Sequence, residues 1–369
     1  MLWFVLVFLS VYMLMNIYAY KRLFSPLGGS FKVLGLMLVS YGWLSPILWR
    51  WADGNLSAGV TFSLAFTSLL WMGFVVYVVF FSMLFDLYKL MANMLKLPRL
   101  SAKSTALAVF VLSLLLSVYS YYETLRLRVE RIVFYTDKIP KGSRIKVLHI
   151  SDLHLGPVMG MDKVRLVLDV YNRERPDMVV STGDLVDGSM KGKEELAEAL
   201  AQMKPPLGKY AVLGNHEYYR GWLQAMEFTK KAGFVVLRDS YFQLDGLMTI
   251  VGVDDEDCKL VNACTGVDEV RLLKETPKIG YVLLLKHRPK LDPSLVGEFD
   301  LMLSGHTHGG VYYPVGKLIL TKLFETDRGL KYLGRGSYLF VSMGVGTGGP
   351  PMRFLSPPDV AIVEIVGRP

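Results

Sequence analysis

The sequence predicts an N-terminal domain of about four transmembrane helices followed by an α/β domain. Apolar residues accumulate before about residue 122 of the 369-residue chain, and the remainder has an ordinary globular composition. After Arg126, short β-branched and aromatic runs alternate with helical patterns, which is typical of layered α/β structure. We therefore expect a membrane domain at residues 1–125 and a soluble domain at residues 126–369.

Four N-terminal segments approach or exceed the roughly 20 apolar residues that a transmembrane helix needs. They are Leu2 to Tyr20, Val33 to Trp49, Gly54 to Phe85 and Ser104 to Tyr122. The third is longer than one span, so we expect its helix in its later part, with Asp86 at the interface. The first lacks the early basic residues of a signal peptide and is expected to be retained. Because mid-membrane charges are lacking, the sequence favours an anchor over a transporter with a regulatory domain.

The short loops between these segments predict the orientation, because Lys and Arg favour the cytoplasmic side. The first loop carries Lys21, Arg22 and Lys32, the second only Arg50, and the third Lys89, Lys96, Arg99 and Lys103. Loops one and three are therefore expected to be cytoplasmic. With four spans, the protein is a multi-pass cell-membrane protein whose soluble domain is extracytoplasmic, although Arg126, Arg128 and Arg131 favour the opposite side. These loops account for much of the net charge of +8, so no nucleic-acid partner is expected.

The soluble half contains strand and helix patterns in alternation. Strands are expected at Val129–Tyr135, Arg144–Ile150, Asp177–Ser181, Tyr210–Leu213, Tyr281–Leu285, Leu301–Ser304 and Tyr338–Ser342, with two more between residues 234 and 254. Helices are expected at Asp162–Arg173 and Lys193–Met203. Cys258 and Cys264 form a disulfide if the domain lies in an oxidising compartment, and otherwise are two ordinary thiols.

Five polar clusters follow predicted strands, where α/β folds place their sites. They are Asp152-Leu153-His154, Gly183-Asp184, Gly214-Asn215-His216-Glu217, Lys286-His287 and Gly305-His306-Thr307-His308-Gly309. Five of the six histidines fall inside them. Mixed Asp, Asn and His sets suit divalent Mn, Fe or Zn. If these stretches are extended, residues i and i+2 point the same way, which pairs Asp152 with His154 and His306 with His308.

In this order the clusters resemble the calcineurin-like metallophosphoesterase superfamily, most closely its bacterial membrane-associated branch with N-terminal transmembrane helices. The resemblance covers roughly residues 129 to 366. It implies a four-layer α-β-β-α sandwich with two divalent metal ions at its edge. By position, one metal is expected on Asp152, His154 and His308, and the other on Asn215, His287 and His306. Asp184 is expected to bridge the two.

The same resemblance implies a reaction in which a hydroxide that bridges the metals attacks the phosphorus, since two cations clamp the attacking and leaving oxygens. His216 is expected over the leaving oxygen as a general acid or as a cation. Asp187 is either the acceptor that orients His216 or an ordinary turn residue. Asn215 and Arg353 are expected to contact the substrate.

We therefore predict a membrane-anchored dinuclear-metal phosphoesterase acting on an envelope or lipid-linked phosphate ester. One alternative is a UDP-2,3-diacylglucosamine-type pyrophosphatase on the cytoplasmic face, which the predicted orientation disfavours. Another is a non-catalytic metal-binding scaffold. Because all seven ligand positions and His216 are occupied by competent residues, the enzyme is favoured over the scaffold.

Overall fold

The computed structural model describes residues 2–244, 246–264, 266 and 268–369, and it divides into two compact units. The helical unit runs to Tyr122 and includes Gly349–Met352. The sheet unit comprises Glu123–Gly348 and Arg353–Pro369. The domain boundary after residue 125 stays a prediction.

The helical unit contains α1 (Leu2–Leu23), α2 (Gly29–Ala52), α3 (Ala58–Leu95) and α4 (Ala102–Glu123). Within the described residues, α2, α3 and α4 are long and apolar enough to cross a membrane. Helix α1 is also apolar and 22 residues long, and its role as a fourth span stays a prediction.

Helix α3 differs from its predicted position, because it continues ten residues beyond Phe85. Leucine, methionine, lysine and alanine, which favour helix, dominate this extension. It ends where Lys96 adopts a left-handed backbone, two residues before Pro98. At about 1.5 Å per residue, 38 residues span about 57 Å, well beyond a hydrocarbon core of about 30 Å. Asp86 therefore lies inside the helix, where it pairs with Arg22.

The sheet unit alternates strands and helices. The strands are β1 (Arg128–Thr136), β2 (Arg144–Ile150), β3 (Met178–Ser181), β4 (Lys209–Ala211), β5 (Val235–Val236), β6 (Ser240–Leu244), β7 (Met248–Val253), β8 (Tyr281–Lys286), β9 (Leu301–Ser304), β10 (Gly329–Gly334), β11 (Ser337–Val341) and β12 (Asp359–Gly367). The helices are α5 (Met161–Glu174), α6 (Glu194–Ala201), α7 (Asn215–Arg220), α8 (Trp222–Lys231), α9 (Glu269–Glu275) and α10 (Val315–Leu320). The sequence analysis missed β10, β12 and the last four helices, and expected two strands where β5, β6 and β7 lie.

Two six-stranded sheets form the centre of this unit, with strand orders β1-β12-β2-β3-β4-β5 and β10-β11-β9-β8-β7-β6. Val147 and Val363 from the first sheet share a buried core with Ile250 and Leu283 from the second. Helices α5, α6 and α8 cover the outer face of the first sheet, and α9 packs on the outer face of the second. This is the four-layer α-β-β-α sandwich that was predicted, and the prediction is confirmed.

Parallel pairing gathers the polar clusters at one end of each sheet. Strands β2, β3 and β4 are parallel in the first sheet, and β7, β8 and β9 are parallel in the second. Because parallel strands end at the same edge, the loops that follow them meet there. Asp152, Asp184, Asn215, His287 and His306 all lie within four residues of the ends of these strands.

Candidate active site

The loops after β3, β4, β8 and β9 bring four possible ligand atoms around His287. Its Nε2 lies 3.0 Å from Asn215 Oδ1, 3.1 Å from His306 Nδ1 and 3.2 Å from Asp184 Oδ2. Atoms bound to one ion at about 2.1 Å are separated by roughly 3.0–3.5 Å in tetrahedral geometry. The three distances from His287 Nε2 therefore match those between atoms that bind one divalent metal ion.

A second group forms around His154. Its Nε2 lies 3.0 Å from His308 Nε2 and 3.8 Å from both Asp152 Oδ1 and Asp184 Oδ2. His308 Nε2 is 3.5 Å from Asp152 Oδ1. Asp184 Oδ2 therefore belongs to both groups. This spacing matches two adjacent positions for divalent ions, and the nitrogen and carboxylate donors suit Mn, Fe or Zn.

The loops that hold these groups have a left-handed backbone rather than the extended one expected. Asp152 has φ of 52°, His154 of 50° and Asp184 of 49°, and both histidines of the Gly305–Gly309 loop also have positive φ. Each such non-glycine residue costs of order 1–3 kcal/mol. Asp152 and His154 do share one site, but a tight turn after β2 brings them together. Gly344 approaches Asp152 so closely that a Cβ there would lie 2.6 Å from the Asp152 Cβ.

Second-layer hydrogen bonds orient the candidate ligands. The His287 Nδ1 lies 2.8 Å from the Thr182 carbonyl oxygen, so Nδ1 carries the proton and the Nε2 lone pair stays free for a metal. Ser151 Oγ donates to Asp152 Oδ2 at 2.5 Å. Thr182 was missed from the sequence, although it directly precedes the Gly183-Asp184 pair.

The Glu217 side chain connects the loops after β3 and β4 through hydrogen bonds. Its Oε2 accepts the backbone N–H groups of Gly214 and Asp184 at 2.7 and 2.9 Å, and Oε1 accepts that of Val186 at 3.0 Å. Since the side chain is fully buried and both of its oxygens accept backbone N–H groups, it holds the two loops together.

The charges of the buried side chains at the site favour the binding of cations. Burial alone would lower the pKa of His154, but Asp152, Asp187 and Asp184 raise it to about 10. Burial likewise opposes charge on His287, whose pKa Asp184 and Asp152 raise to about 10. By contrast, burial lowers the pKa of His306 to about 3. The buried carboxylates therefore need positive charge nearby, and divalent ions supply it while leaving the imidazoles neutral as ligands.

His216 stands beside both groups and is partly exposed. Its Nδ1 lies 3.0 Å from Asp187 Oδ1, and its ring centre lies 4.6 Å from that of His154. Arg220 Nε is 3.3 Å from the same Asp187 oxygen. The carboxylate thus fixes the His216 ring through Nδ1 and leaves Nε2 for a proton transfer.

Arg353 does not lie where a substrate phosphate would contact it, contrary to expectation. Its side chain is 0% exposed. One guanidinium nitrogen, Nη1, donates to Met343 O at 2.6 Å, and Nη2 contacts Gly346 O and lies 2.8 Å from His308 Nδ1. Both Nη atoms thus contact backbone oxygens or the His308 ring, so the guanidinium holds that ring in place.

Two further polar side chains, one on β2 and one at the end of β8, are engaged elsewhere. His149 is buried on β2, where its Nε2 lies 2.8 Å from Thr182 Oγ1 and burial lowers its pKa to about 3. Lys286 contacts Glu269 and donates to Lys290 O at 2.6 Å. Both side chains are therefore structural.

Comparison with known proteins agrees with this geometry. The family model for calcineurin-like phosphoesterases matches residues 145–310. An uncharacterised metallophosphoesterase of Aquifex aeolicus (strain VF5) is 53% identical over 257 residues, 70% of this chain and 98% of the relative. A Danio rerio transmembrane protein with a metallophosphoesterase domain is 28% identical, over 72% of this chain and 63% of its own length.

Among solved structures, a dimetal phosphatase from Danio rerio matches with a TM-score of 0.36 and 15% identity, over 55% of this chain and 88% of that chain. The apolar helices and the transmembrane relatives indicate membrane association. The predicted resemblance is confirmed, and the chain belongs to the calcineurin-like metallophosphoesterases, which are metal-dependent phosphoric ester hydrolases.

Proposed function

We propose that this protein is a multi-pass membrane phosphoesterase whose extracytoplasmic site holds two divalent ions, Mn, Fe or Zn, and hydrolyses a lipid-linked phosphate ester. The observation that carries the two-metal site is the position of Asp184 Oδ2, which lies within 3.2 Å of His287 Nε2 and 3.8 Å of His154 Nε2. We assign one ion to Asp152, His154 and His308, the other to Asn215, His287 and His306, and Asp184 to both.

The bound ions would supply Lewis acidity, an activated water and neutralisation of the phosphate charge. The chain supplies the proton. His216, oriented by Asp187, presents Nε2 to the leaving oxygen. The amide of Asn215 would hold the second ion through Oδ1 and would offer its Nδ2 donor to a phosphate oxygen.

The proposal of a lipid-linked substrate is supported by an apolar surface beside the site, here called the α10 surface. It consists of Val315, Leu318, Ile319 and Leu323, which are 55–65% exposed. The segment starts five residues after Gly310. Phe324, which directly follows Leu323, packs edge-on against His306, with 5.3 Å between the ring centres. Large exposed apolar patches next to a site commonly contact partners, lipids or ligands. Lys317 and Lys322 at the same segment suit an anionic lipid surface.

The short connection between α4 and β1 also supports a lipid-linked substrate. Only four residues, 124–127, separate α4 from β1. Fully extended, four residues span at most about 14 Å. The catalytic unit is therefore held within reach of the lipid head groups of the membrane that α4 is proposed to cross.

The test compares two phosphodiesters with the full chain in detergent micelles, stripped of metal and reloaded with Mn, Zn or Fe. We expect metal-restored hydrolysis of both bis-p-nitrophenyl phosphate and a phospholipid diester in mixed micelles. In L318E/I319E, we expect the soluble diester to be cleaved normally. Lipid cleavage should fall about tenfold or more, since each buried Leu or Ile is worth about 1.5–3 kcal/mol.

The matched control is L223E/L260E, which places the same charges on two leucines that are each 61% exposed and outside the α10 surface. An equal loss of lipid cleavage in this control would remove the role of the α10 surface. Metal-loaded, folded protein that cleaves neither diester nor a nucleotide-lipid pyrophosphate would favour the scaffold instead.

The extracytoplasmic position of the catalytic unit is supported by two observations. Lys21 and Arg22 of the first loop line the same cavity as Lys89 and Arg99 of the third, so both basic loops lie at one end of the helical unit. Cys258 and Cys264 form a disulfide, which persists in oxidising compartments.

The measurement is protease accessibility of an epitope fused after Pro369, in cells with a permeabilised outer envelope but an intact cytoplasmic membrane. We expect the epitope to be cleaved, while a cytoplasmic marker protein is spared. Protection until the cytoplasmic membrane is lysed would place the site in the cytoplasm and restore the nucleotide-lipid pyrophosphatase as the better function.

A further inference from the structure

A basic cavity lies at one end of the helical unit and is lined by none of the residues of the metal site. It has a volume of about 160 Å³ and is lined by the ends of α1 and α3, the loop after α3 and the start of α4. Pockets that enclose drug-sized ligands measure about 300–1,000 Å³. The cavity therefore suits a small polar group rather than a whole lipid.

Its charge is strongly positive. Lys21, Arg22, Lys89 and Arg99 line it, against a single carboxylate, Asp86. Asp86 is occupied, because it pairs with Arg22 and accepts a hydrogen bond from Tyr18 OH at 2.6 Å. Across the described part of the chain, no carboxylate forms a salt bridge with Lys21, Lys89 or Arg99. The cavity thus gathers three cations that lack an anionic partner.

A buried hydroxyl supplies a second, independent indication of a ligand. Ser82 lies on α3 one turn before Asp86 and is 1% exposed. Ser82 is among the residues that line the cavity, and its buried Oγ has no hydrogen-bond partner. A serine inside a helix usually bonds to the carbonyl oxygen four residues earlier. A buried hydroxyl without a partner costs free energy, so a group in the cavity that accepts its hydrogen bond would stabilise it.

We propose that this cavity binds a phosphate group, carried by an anionic membrane phospholipid. A phosphate has the negative charge and the several acceptor oxygens that the cations and the Ser82 hydroxyl require. The fork of the Arg99 guanidinium suits two phosphate oxygens, while Lys89 acts as a point charge. Basic pockets between membrane helices bind lipid head groups in this way.

The surroundings favour a lipid over free phosphate as the source. Leu87 on α3 and Leu107 on α4 are more than half exposed, and Leu100 lines the cavity itself. Acyl chains of a lipid would lie along these apolar surfaces while its phosphate enters the cavity. The site is separate from the substrate site, so it does not rest on the proposed function.

Native mass spectrometry of the full chain in a neutral detergent tests the proposal, with added phosphatidylglycerol, phosphatidylcholine or inorganic phosphate. We expect one retained phosphatidylglycerol per chain. In K89Q/R99Q its affinity should fall about 30-fold, because each cation near an anionic head group contributes about fivefold. S82A should weaken retention by a smaller factor without changing the charge.

The matched control is K32Q/K96Q, which removes two cations, one in the first turn of α2 and one just after α3, that do not line the cavity. An equal loss of phosphatidylglycerol affinity in this control would show that the effect is general charge attraction, and it would overturn the proposed site. Retention of inorganic phosphate as tight as that of phosphatidylglycerol would overturn the lipid as its source. All variants should keep their hydrolysis of bis-p-nitrophenyl phosphate, which reports that the chain is folded.

Discussion

Replacing Asp184 with asparagine is expected to weaken both metal positions at once. Oδ2 of Asp184 lies in both groups of candidate ligand atoms, and Oδ1 accepts the backbone N–H of His216 at 2.8 Å. Asparagine keeps the shape but removes the negative charge that offsets repulsion between two cations. Loss of one member of a buried charge pair costs about 3–5 kcal/mol, so we expect each affinity to fall about 10²–10⁴-fold. Hydrolysis should fall with it.

The measurement is metal content after gel filtration, together with titration of the stripped protein. Two variants of one loop provide the contrast. H308A should lose the ion assigned to Asp152 and His154, and H306A the ion assigned to Asn215 and His287. If D184N lost only one ion, as each histidine variant is expected to do, Asp184 would not bridge the two ions.

Replacing His216 with alanine is expected to lower turnover about 10²–10⁴-fold, the usual contribution of a positioned acid or base, while both ions remain bound. The ring is held by Asp187 at 3.0 Å, and its centre lies 4.6 Å from that of His154. Loss of an ion in H216A would instead make His216 a ligand, since His154, Asp184 and His216 also form a compact set of donor atoms.

The leaving group separates the two roles left open for His216. A p-nitrophenolate departs without a proton, whereas an alkoxide needs one. If His216 is a general acid, H216A should cost far more with an alkyl diester than with bis-p-nitrophenyl phosphate. An equal cost with both esters would mean that the ring acts as a cation.

D187N tests how His216 is oriented. Removing a second-layer partner typically costs 10–100-fold, so D187N should be less impaired than H216A and show the same dependence on the leaving group. Y219F is the matched control, because Tyr219 borders His216 but its hydroxyl bonds to Asp257. Full activity in D187N would mean that Asp187 is an ordinary turn residue.

The strands that were predicted are those whose apolar runs are short, buried and bounded by turn signals. Strand β2 occupies the predicted Arg144–Ile150, and β9 the predicted Leu301–Ser304. The apolar run of β12 near the C-terminus was not identified, because its place depends on partners more than 200 residues away. It pairs with β1 on one side and β2 on the other. Only long-range pairing makes it a central strand.

The sequence alone determined which residues can bind a metal and in what order they occur, because donor chemistry and the position of a residue after a strand are local properties. It also located the apolar segments, since membrane thickness sets their length. The tertiary structure decided the rest. In the folded protein most of the ligand residues adopt a left-handed backbone, and Asp187 contacts His216. Arg353 is buried, where it contacts His308. Those outcomes depend on contacts between loops from different strands, and local sequence carries no information about such contacts until the two sheets have packed.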